Sequence, residues 1–260
     1  MTKRFSLGID LGTTNCAMAL FDLEADQTEV LQVTQILGPN RIGERPTFPS
    51  ALYIPHRDEF PENSFPPPWE NETADGSVIG HFAREHGALV PDRLVTSAKS
   101  WLSNAHVDPR QRCLPWGSEI EEDKLSPFEC SRRYLAHLKN AFLYVGRVQG
   151  RSRDLSETEM VLTVPASFDA VARNLTAEAA EAAGLGKVTL LEEPQAAFYA
   201  WIAQANREWR SLIGPGDIVL VCDVGGGTTD FSLIAVIDNN GTLELERISV
   251  GEHILLGGDN

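Results

Sequence analysis

Asp223-Val224-Gly225-Gly226-Gly227-Thr228-Thr229-Asp230 is the stretch that decides the fold. It lies between two apolar runs, 218–222 and 231–237, which have strand length and are rich in β-branched residues. The stretch therefore predicts a β-hairpin with a glycine turn. Three successive glycines let backbone N–H groups approach an anion closely, and a neighbouring carboxylate suits a magnesium ion. A phosphate site and a plain flexible turn both remain open at this point.

The N-terminal segment repeats this pattern. Asp10 precedes Asp223 by 213 residues and is followed by Leu11-Gly12-Thr13-Thr14-Asn15, between predicted strands at 5–10 and 16–21. Each copy continues into a turn and a third strand, at 29–36 and at 243–250. Aligning the Thr-Thr pairs of the two copies requires two extra residues in the later turn. The repeat predicts an ancient duplication with two facing hairpins, each gripping one end of a polyphosphate.

The composition restricts the possible partners. The 260 residues include 22 basic and 37 acidic side chains, for a net charge of −15, which disfavours nucleic acid and anionic membranes. Four widely spaced cysteines form no C-x-x-C pair, so a zinc site or a disulfide framework is not expected. No secretory signal or apolar run of about 18 residues occurs, and a cytoplasmic location is the expectation.

The middle of the chain differs in composition from the two ends. Eight of the 15 prolines fall between positions 39 and 68, which predicts loops and short strands inserted into the core domain. Within this part we expect one strand at 47–54 and a surface excursion at 57–75. The pattern at 79–102 predicts a helix.

The second half alternates helices and strands. Ser126-Pro127-Phe128-Glu129 predicts a helix start with a capping box. It is followed by a strand at 160–164, a helix at 169–183, a strand at 187–191 and a helix at 194–209. This order predicts an α/β fold with a mixed five-stranded sheet flanked by helices. Ligands are expected at the carboxyl ends of its strands, where Asp10, Pro165, Glu193 and Asp223 occur.

Two carboxylates and two Gly/Thr turns suit phosphoryl transfer, in which positioning and metal charge lower the barrier. Glu193 is a third candidate, to hold metal-bound water or to orient the attacking water. Alternatively, Glu193 only complements the positive end of a helix, together with Glu192. Cys16 and Cys222 each lie in an apolar strand, so buried packing is expected for both rather than reactivity.

The threonines of the two turns have two interpretations. They can donate hydroxyl hydrogen bonds to phosphate, or they can be ordinary strand residues. We expect at least one to be only a strand residue. The four positions are Thr13, Thr14, Thr228 and Thr229.

Five motifs resemble the ATPase domain of the 70-kilodalton heat-shock chaperones, in the order that the family has them. They are Gly8-Ile9-Asp10-Leu11-Gly12-Thr13-Thr14-Asn15, Val164-Pro165-Ala166-Ser167-Phe168, Glu193-Pro194-Gln195-Ala196-Ala197, the stretch from Asp223 to Asp230, and Leu256-Gly257-Gly258-Asp259. The resemblance implies the actin-like ATPase (ribonuclease H-like) fold of actin and the sugar kinases. It also implies ATP or ADP with Mg²⁺ in a cleft between two lobes.

The resemblance implies roles for individual residues. The residues implied around the metal, largely through water, are Asp10, Glu193, Asp223 and Asp230. The residues implied to hold phosphates are Gly12, Thr13, Thr14, Asn15, Gly225, Gly226, Gly227 and Thr228. Pro165 and Arg173 match a proline and an arginine that relay the nucleotide state to a substrate domain.

Arg84 is the main departure from the family pattern. It stands in Gly80-His81-Phe82-Ala83-Arg84, where the family has a catalytic lysine that helps to position the nucleophilic water. Arginine keeps the charge but is bulkier and planar, so we expect reduced or altered hydrolysis with binding retained. Two smaller departures are Gln195, where the family has threonine, and an excursion at 57–75 longer than usual.

The resemblance implies an ATPase domain that couples the nucleotide state to the binding of unfolded peptides by a C-terminal region. A J-domain co-chaperone and a nucleotide-exchange factor are the implied partners. The implied domains are a first-lobe core at 1–40 and 125–214, an inserted subdomain at 41–124 and the start of a second lobe at 215–260. Because the rest of that lobe is missing after Asn260, we expect these residues alone to bind ATP weakly or not at all. A non-hydrolysing binding module and a small-molecule kinase remain alternatives.

Overall fold

The computed structural model describes residues 3–69, 76–150, 153–205, 208–240, 242–251, 254 and 256–258. The strands are β1 (Phe5–Leu11), β2 (Asn15–Asp22), β3 (Gln27–Val30), β4 (Val33–Gly38), β5 (Arg41–Arg45), β6 (Phe48–Pro49), β7 (Leu52–Tyr53), β8 (Val78–Ile79), β9 (Leu94–Val95), β10 (Thr158–Val164), β11 (Thr189–Glu192), β12 (Ile218–Val224), β13 (Thr229–Asn239) and β14 (Thr242–Val250). The helices are α1 (His81–Gly87), α2 (Pro127–Val148), α3 (Ala170–Ala182), α4 (Glu193–Ala205) and α5 (Trp209–Leu212). None of these described helices is long and apolar enough to cross a membrane.

The chain divides into two compact units. The first comprises residues 1–162 and 170–189, and the second comprises residues 163–169 and 190–260. The predicted boundaries of the core, inserted and second-lobe subdomains remain predictions.

The predicted mixed sheet is confirmed. Its strand order is β11-β10-β1-β2-β3, with β1 parallel to β10 and antiparallel to β2. The short strand β6 pairs with β2 and adds a sixth strand to the predicted five. The alternating burial of β1 places Leu7, Ile9 and Leu11 in the core.

The predicted third strand at 29–36 is wrong, because the chain forms two strands there. Strand β3 pairs with β2 and is exposed throughout, whereas β4 is almost entirely buried and pairs with β5. The N–H of Leu31 still donates to the carbonyl oxygen of Met18, so the chain leaves the sheet immediately after this residue. An apolar run alone does not reveal such a change of pairing partner.

Two further predictions in the inserted part are wrong, because turns interrupt the predicted strand and the predicted helix. The expected strand at 47–54 splits into β6 and β7. Of the expected helix at 79–102, only the seven residues of α1 are α-helical, and short 3₁₀ turns form at Pro91–Arg93 and Ala98–Ser103. A Cβ atom on Gly87 would lie 2.7 Å from Leu94, and Pro91 lacks an N–H group, so the chain turns there and returns as β9.

The start of α2 is confirmed. Ser126 Oγ accepts a hydrogen bond from the N–H of Glu129 at 3.1 Å. The Glu129 carboxylate binds the guanidinium groups of Arg132 and Arg133, which lie one turn further along the helix. The buried side of α2 carries Leu135, Leu138, Phe142 and Val145.

Histidine 137 on α2 makes the stability of the fold depend on pH. Its ring stacks on Phe48 with centroids 4.4 Å apart, and its Nε2 donates to the carbonyl oxygen of Thr34 at 2.9 Å. Burial lowers the pKa of His137 from 6.5 to about 4, and the hydrogen bond to Thr34 opposes this effect only partly. The folded chain therefore keeps the ring neutral at pH values where the unfolded chain protonates it.

We expect the free energy of unfolding to fall by on the order of 3 kcal/mol between pH 6.5 and pH 4 through His137 alone. Well above pH 6.5, His137 no longer lowers the free energy of unfolding, because its ring is neutral in both the folded and the unfolded chain. Urea denaturation across this range measures it as the difference between the wild type and His137→Leu. The exposed His106→Leu is the control. Equal slopes for wild type and His137→Leu would contradict the assignment.

The second unit contains a meander of three strands. Strands β12, β13 and β14 are antiparallel neighbours, as predicted. Helix α4 covers one face, where Phe198 packs with Ile234 and Val236. Asn240 adopts a left-handed φ of 54° between β13 and β14, and Gly241 of the predicted turn lies outside the described residues.

Candidate phosphate-binding turns

The first predicted phosphate turn closes the hairpin of β1 and β2. Leu11 pairs with Cys16, so the turn contains four residues, 12–15. Asp10 is exposed at the second-last position of β1, and Leu11 separates it from the turn. A Cβ atom on Gly12 would lie 2.1 Å from the carbonyl oxygen of Asn15. The turn therefore requires glycine at position 12 for steric reasons.

Serine 50 supports this turn, a role that the sequence did not predict. Its Oγ donates to the carbonyl oxygen of Gly12 at 2.7 Å, and its N–H donates to the carbonyl oxygen of Thr14 at 2.9 Å. Both carbonyl oxygens are thus engaged, which reduces their repulsion of an anion at the turn. The only sequence signal is a serine in a largely apolar segment, and Ser50 is 3% exposed.

The two cysteines beside the turns have different surroundings. Cys16 is buried, as predicted, and burial raises the pKa of its thiol to about 12, although its Sγ lies 3.2 Å from Ser50 Oγ. Cys222 is exposed, so its predicted burial is wrong. The reason is its register, since alternate residues of β12 face outward.

Arg84 lies at the first turn. Its guanidinium Nη1 donates to Asn15 Oδ1 at 3.3 Å, and its Nε lies 3.5 Å from Glu85 Oε1. The structure thus brings together two predicted site residues that are 69 positions apart in the chain. The catalytic role of Arg84 stays a prediction.

The second turn closes the hairpin of β12 and β13. The N–H of Gly225 donates to the carbonyl oxygen of Thr228 at 2.8 Å. Asp223 lies opposite Asp230 on the neighbouring strand, and Asp230 is buried. Like charges directly opposite each other in a sheet repel, and a cation beside them offsets the repulsion. This pair therefore suits the predicted magnesium ion.

The registers of the two hairpins correct the sequence alignment of the repeat. Val224 pairs with Thr229, so the second turn also has four residues and needs no insertion. The alignment that matched the Thr-Thr pairs is therefore wrong. The corresponding positions are Asp10 and Asp223, Gly12 and Gly225, Thr13 and Gly226, Thr14 and Gly227, Asn15 and Thr228, and Ala17 and Asp230. Only the second hairpin has a carboxylate opposite the first aspartate, since Asp230 stands where the first hairpin has Ala17.

The segment 256–258 packs against the second turn. The N–H of Gly258 donates to the carbonyl oxygen of Gly225 at 3.0 Å, and Thr229 Oγ1 donates to the carbonyl oxygen of Leu256 at 2.8 Å. A Cβ atom on Gly257 would lie 2.3 Å from the carbonyl oxygen of Gly226. Thr229 is therefore a strand residue, as expected for at least one threonine. Asp259 of the predicted motif lies outside the described residues.

Glu193 is the first residue of α4 and directly follows β11. Its neighbour Glu192 is 8% exposed, and both of its carboxylate oxygens accept hydrogen bonds from Arg247 on β14. Glu192 is therefore a partner of Arg247 in an ion pair, and only Glu193 remains a candidate for the chemistry.

The other predicted residues are placed as follows. Pro165 follows β10, and its carbonyl oxygen accepts a hydrogen bond from the N–H of Phe168 at 3.1 Å. Arg173 lies on α3, in the other unit. The relay role of Pro165 and Arg173 stays a prediction.

Among the described residues, no group of three or more His, Cys, Asp or Glu could hold a metal ion. A cation at Asp223 and Asp230 would therefore need phosphate or water ligands as well.

Comparison with known proteins identifies the family. A family model described as Hsp70 protein matches residues 6–260. "Chaperone protein HscA homolog" of Actinobacillus pleuropneumoniae serotype 5b is 31% identical over 269 residues, and that of Pasteurella multocida is 27% identical over 262 residues. Both alignments cover 99% of this chain and 36% of the relative, so the chain spans about a third of the length of these relatives.

The predicted fold class is confirmed by this match, since the Hsp70 family has an actin-like ATPase fold and the chain has the expected mixed sheet flanked by helices. The match extends over both candidate phosphate-binding turns and the segments between them. The chain belongs to the Hsp70 family.

Proposed function

We propose that the chain binds and hydrolyses ATP as part of a molecular chaperone. The proposal rests on the pair of four-residue turns, each of which is preceded by an aspartate at the same hairpin position. Both turns have backbone that a side chain would obstruct, at Gly12 in the first and against Gly257 in the second. These close contacts fix the shape of each turn, and the glycines within the turns carry no Cβ atom to screen their N–H groups from a phosphate.

The proposed ligand is ATP or ADP with Mg²⁺, as the Hsp70 family implies. Asp10, Asp223 and Asp230 would hold the ion, largely through water, and Mg²⁺ when bound neutralises charge on the phosphates. The backbone amides of the turns bind and orient the phosphates. Glu193 orients the attacking water or accepts its proton. Arg84 places a positive charge at the first turn, where it can stabilise charge that develops on the transferred group.

The direct test is single-turnover hydrolysis of ATP by the full-length parent protein, with and without Mg²⁺. We expect release of phosphate that depends on the metal and bound ADP as the other product. ATP binding with no hydrolysis would favour the non-hydrolysing module. Transfer of the phosphate to a small acceptor instead of water would favour a kinase.

Arg84→Lys tests the departure from the family pattern. The bond from Arg84 to Asn15 ties the guanidinium to the turn, which favours an altered rate of hydrolysis. We expect the lysine variant to hydrolyse ATP about ten-fold faster at a similar ATP affinity, because a compact ammonium group is freer to position water. Single-turnover kinetics and calorimetry measure the two quantities. Equal rates for wild type and variant would sink this explanation.

The proposed partners follow from the proposed activity and the family. Unfolded client peptides would bind elsewhere in the parent protein, with a J-domain co-chaperone and a nucleotide-exchange factor acting on this part. Pro165 and Arg173 would relay the nucleotide state. ATP-dependent release of an unfolded peptide, lost in Pro165→Ala, would support this coupling.

A further inference from the structure

Helix α1 carries Arg84 but is too short to be stable by itself. Its seven residues form fewer than two full turns, and isolated helices of this length do not persist in water. Contacts at its two ends therefore determine where the Arg84 guanidinium lies relative to Asn15.

The last turn of α1 is held by a carboxylate from the proline-rich excursion. His86 Nε2 lies 2.7 Å from Glu59 Oε1. The Tyr53 hydroxyl donates to the same carboxylate, at 2.8 Å from Oε1 and 2.7 Å from Oε2. The N–H of His56 donates to Glu59 Oε2 at 3.0 Å. One side chain thus joins the buried strand β7, the excursion and the end of α1.

Aromatic packing reinforces this contact. The His86 ring stacks on Phe82 with centroids 5.0 Å apart and an angle of 9° between the planes. Phe60, the residue after Glu59, contacts both rings edge-on, at 5.3 Å and 5.9 Å. The described part of the predicted surface excursion is therefore anchored on α1 rather than loose on the surface.

The first turn of α1 is held by Gln35 on β4, which is fully buried. Its Oε1 accepts a hydrogen bond from the N–H of His81 at 3.1 Å, and its Nε2 donates to the carbonyl oxygen of Thr47 at 2.9 Å. Gly80 has a left-handed φ of 90°, and a Cβ atom there would lie 2.6 Å from the Phe48 ring. The helix consequently has little freedom at its start.

We propose that Glu59 is a positioning residue for Arg84, acting through His86 and the last turn of α1. The inference rests on the proposed function, because it assigns the excursion a part in ATP hydrolysis. Burial would raise the pKa of the Glu59 carboxyl, but hydrogen bonds from Tyr53 and His86 outweigh burial and lower that pKa. The carboxylate is therefore charged at neutral pH and can hold both partners.

Glu59→Ala is the first test, in the full-length parent protein. We expect single-turnover hydrolysis to slow by about ten- to a hundred-fold, because a displacement of about 1 Å at a catalytic group has such an effect. In an Arg84→Ala background the same substitution should change the rate less than two-fold, since no guanidinium remains to be positioned. Glu62→Ala, which changes an exposed glutamate of the same excursion, is the matched control.

Three results would overturn the proposal: an unchanged rate in Glu59→Ala, an equal loss in both backgrounds, or the same loss in Glu62→Ala. If Glu59→Ala does not fold, Tyr53→Phe removes one donor of the network and is expected to slow hydrolysis by a few-fold. If the wild type itself does not hydrolyse ATP, the proposed function fails separately. Hydrogen exchange at 81–87 then decides the positioning role, since unchanged exchange in Glu59→Ala would refute it.

Discussion

Replacing Gly12 with alanine is expected to lower the affinity for ATP by about 100-fold, which corresponds to about 3 kcal/mol. The new Cβ atom would lie 2.1 Å from the carbonyl oxygen of Asn15 and 3.2 Å from its carbonyl carbon. These are backbone atoms, which cannot rotate away as a side chain can. The hairpin must therefore open, which displaces the turn and also Asn15, the partner of Arg84.

The same strain should lower the free energy of unfolding by on the order of 2 kcal/mol. Calorimetry with ATP and urea denaturation measure the two effects separately. Gly8→Ala is the matched control, because it makes the same change in β1, the strand that leads into the turn, and its Cβ atom would meet only the carbonyl oxygen of Ala19, at 3.8 Å. An ATP affinity of Gly12→Ala equal to that of Gly8→Ala would show that the first turn does not hold phosphate.

The two hairpins could be predicted from the sequence because their signals are local. Alternating apolar strands and a glycine turn specify a hairpin within about 20 residues, and no distant contact is needed. The strand register within each hairpin was harder to predict from the sequence. Matching the Thr-Thr pairs aligned Thr13 and Thr14 with Thr228 and Thr229, whereas strand pairing matches them with Gly226 and Gly227.

The inserted part could not be predicted in the same way. Strands β3 and β4 come from one apolar run, and the choice of partner for each depends on β2 and β5. Helix α1 ends where Gly87 must make room for Leu94 and Tyr53, which are distant in sequence or follow a turn. Propensity cannot anticipate such contacts.

The supporting residues of the site were missed for the same reason. Ser50 and Glu59 have no motif, since a serine or a glutamate in a proline-rich segment is common on surfaces. Their roles arise from hydrogen bonds to residues 27 to 38 positions away, Gly12 for Ser50 and His86 for Glu59. Motifs reveal the groups that contact a ligand, and only the fold reveals those that hold them in place.

Asp223→Asn is expected to slow single-turnover hydrolysis by about 10²- to 10³-fold. Asp223 and Asp230 lie opposite each other on β12 and β13, and the proposed magnesium ion offsets their repulsion. Removing one charge weakens the hold on the ion while it relieves this repulsion. The free energy of unfolding without nucleotide should therefore stay the same or rise by up to about 0.5 kcal/mol.

A loss of hydrolysis without a loss of stability distinguishes a metal-binding carboxylate from a structural one. A structural aspartate would lose stability and activity together when replaced by asparagine. Asp217→Asn is the matched control, because Asp217 is an exposed carboxylate just before the other end of β12 and accepts only a turn hydrogen bond from the N–H of Gly214 in the described contacts. Asp217→Asn should keep the wild-type rate.

Raising the Mg²⁺ concentration should recover part of the rate in Asp223→Asn, since a weakened metal site saturates at higher metal concentration. A loss of rate that no concentration of Mg²⁺ reduces, together with lower stability, would assign Asp223 to the fold and leave Asp10 as the aspartate to test for the metal.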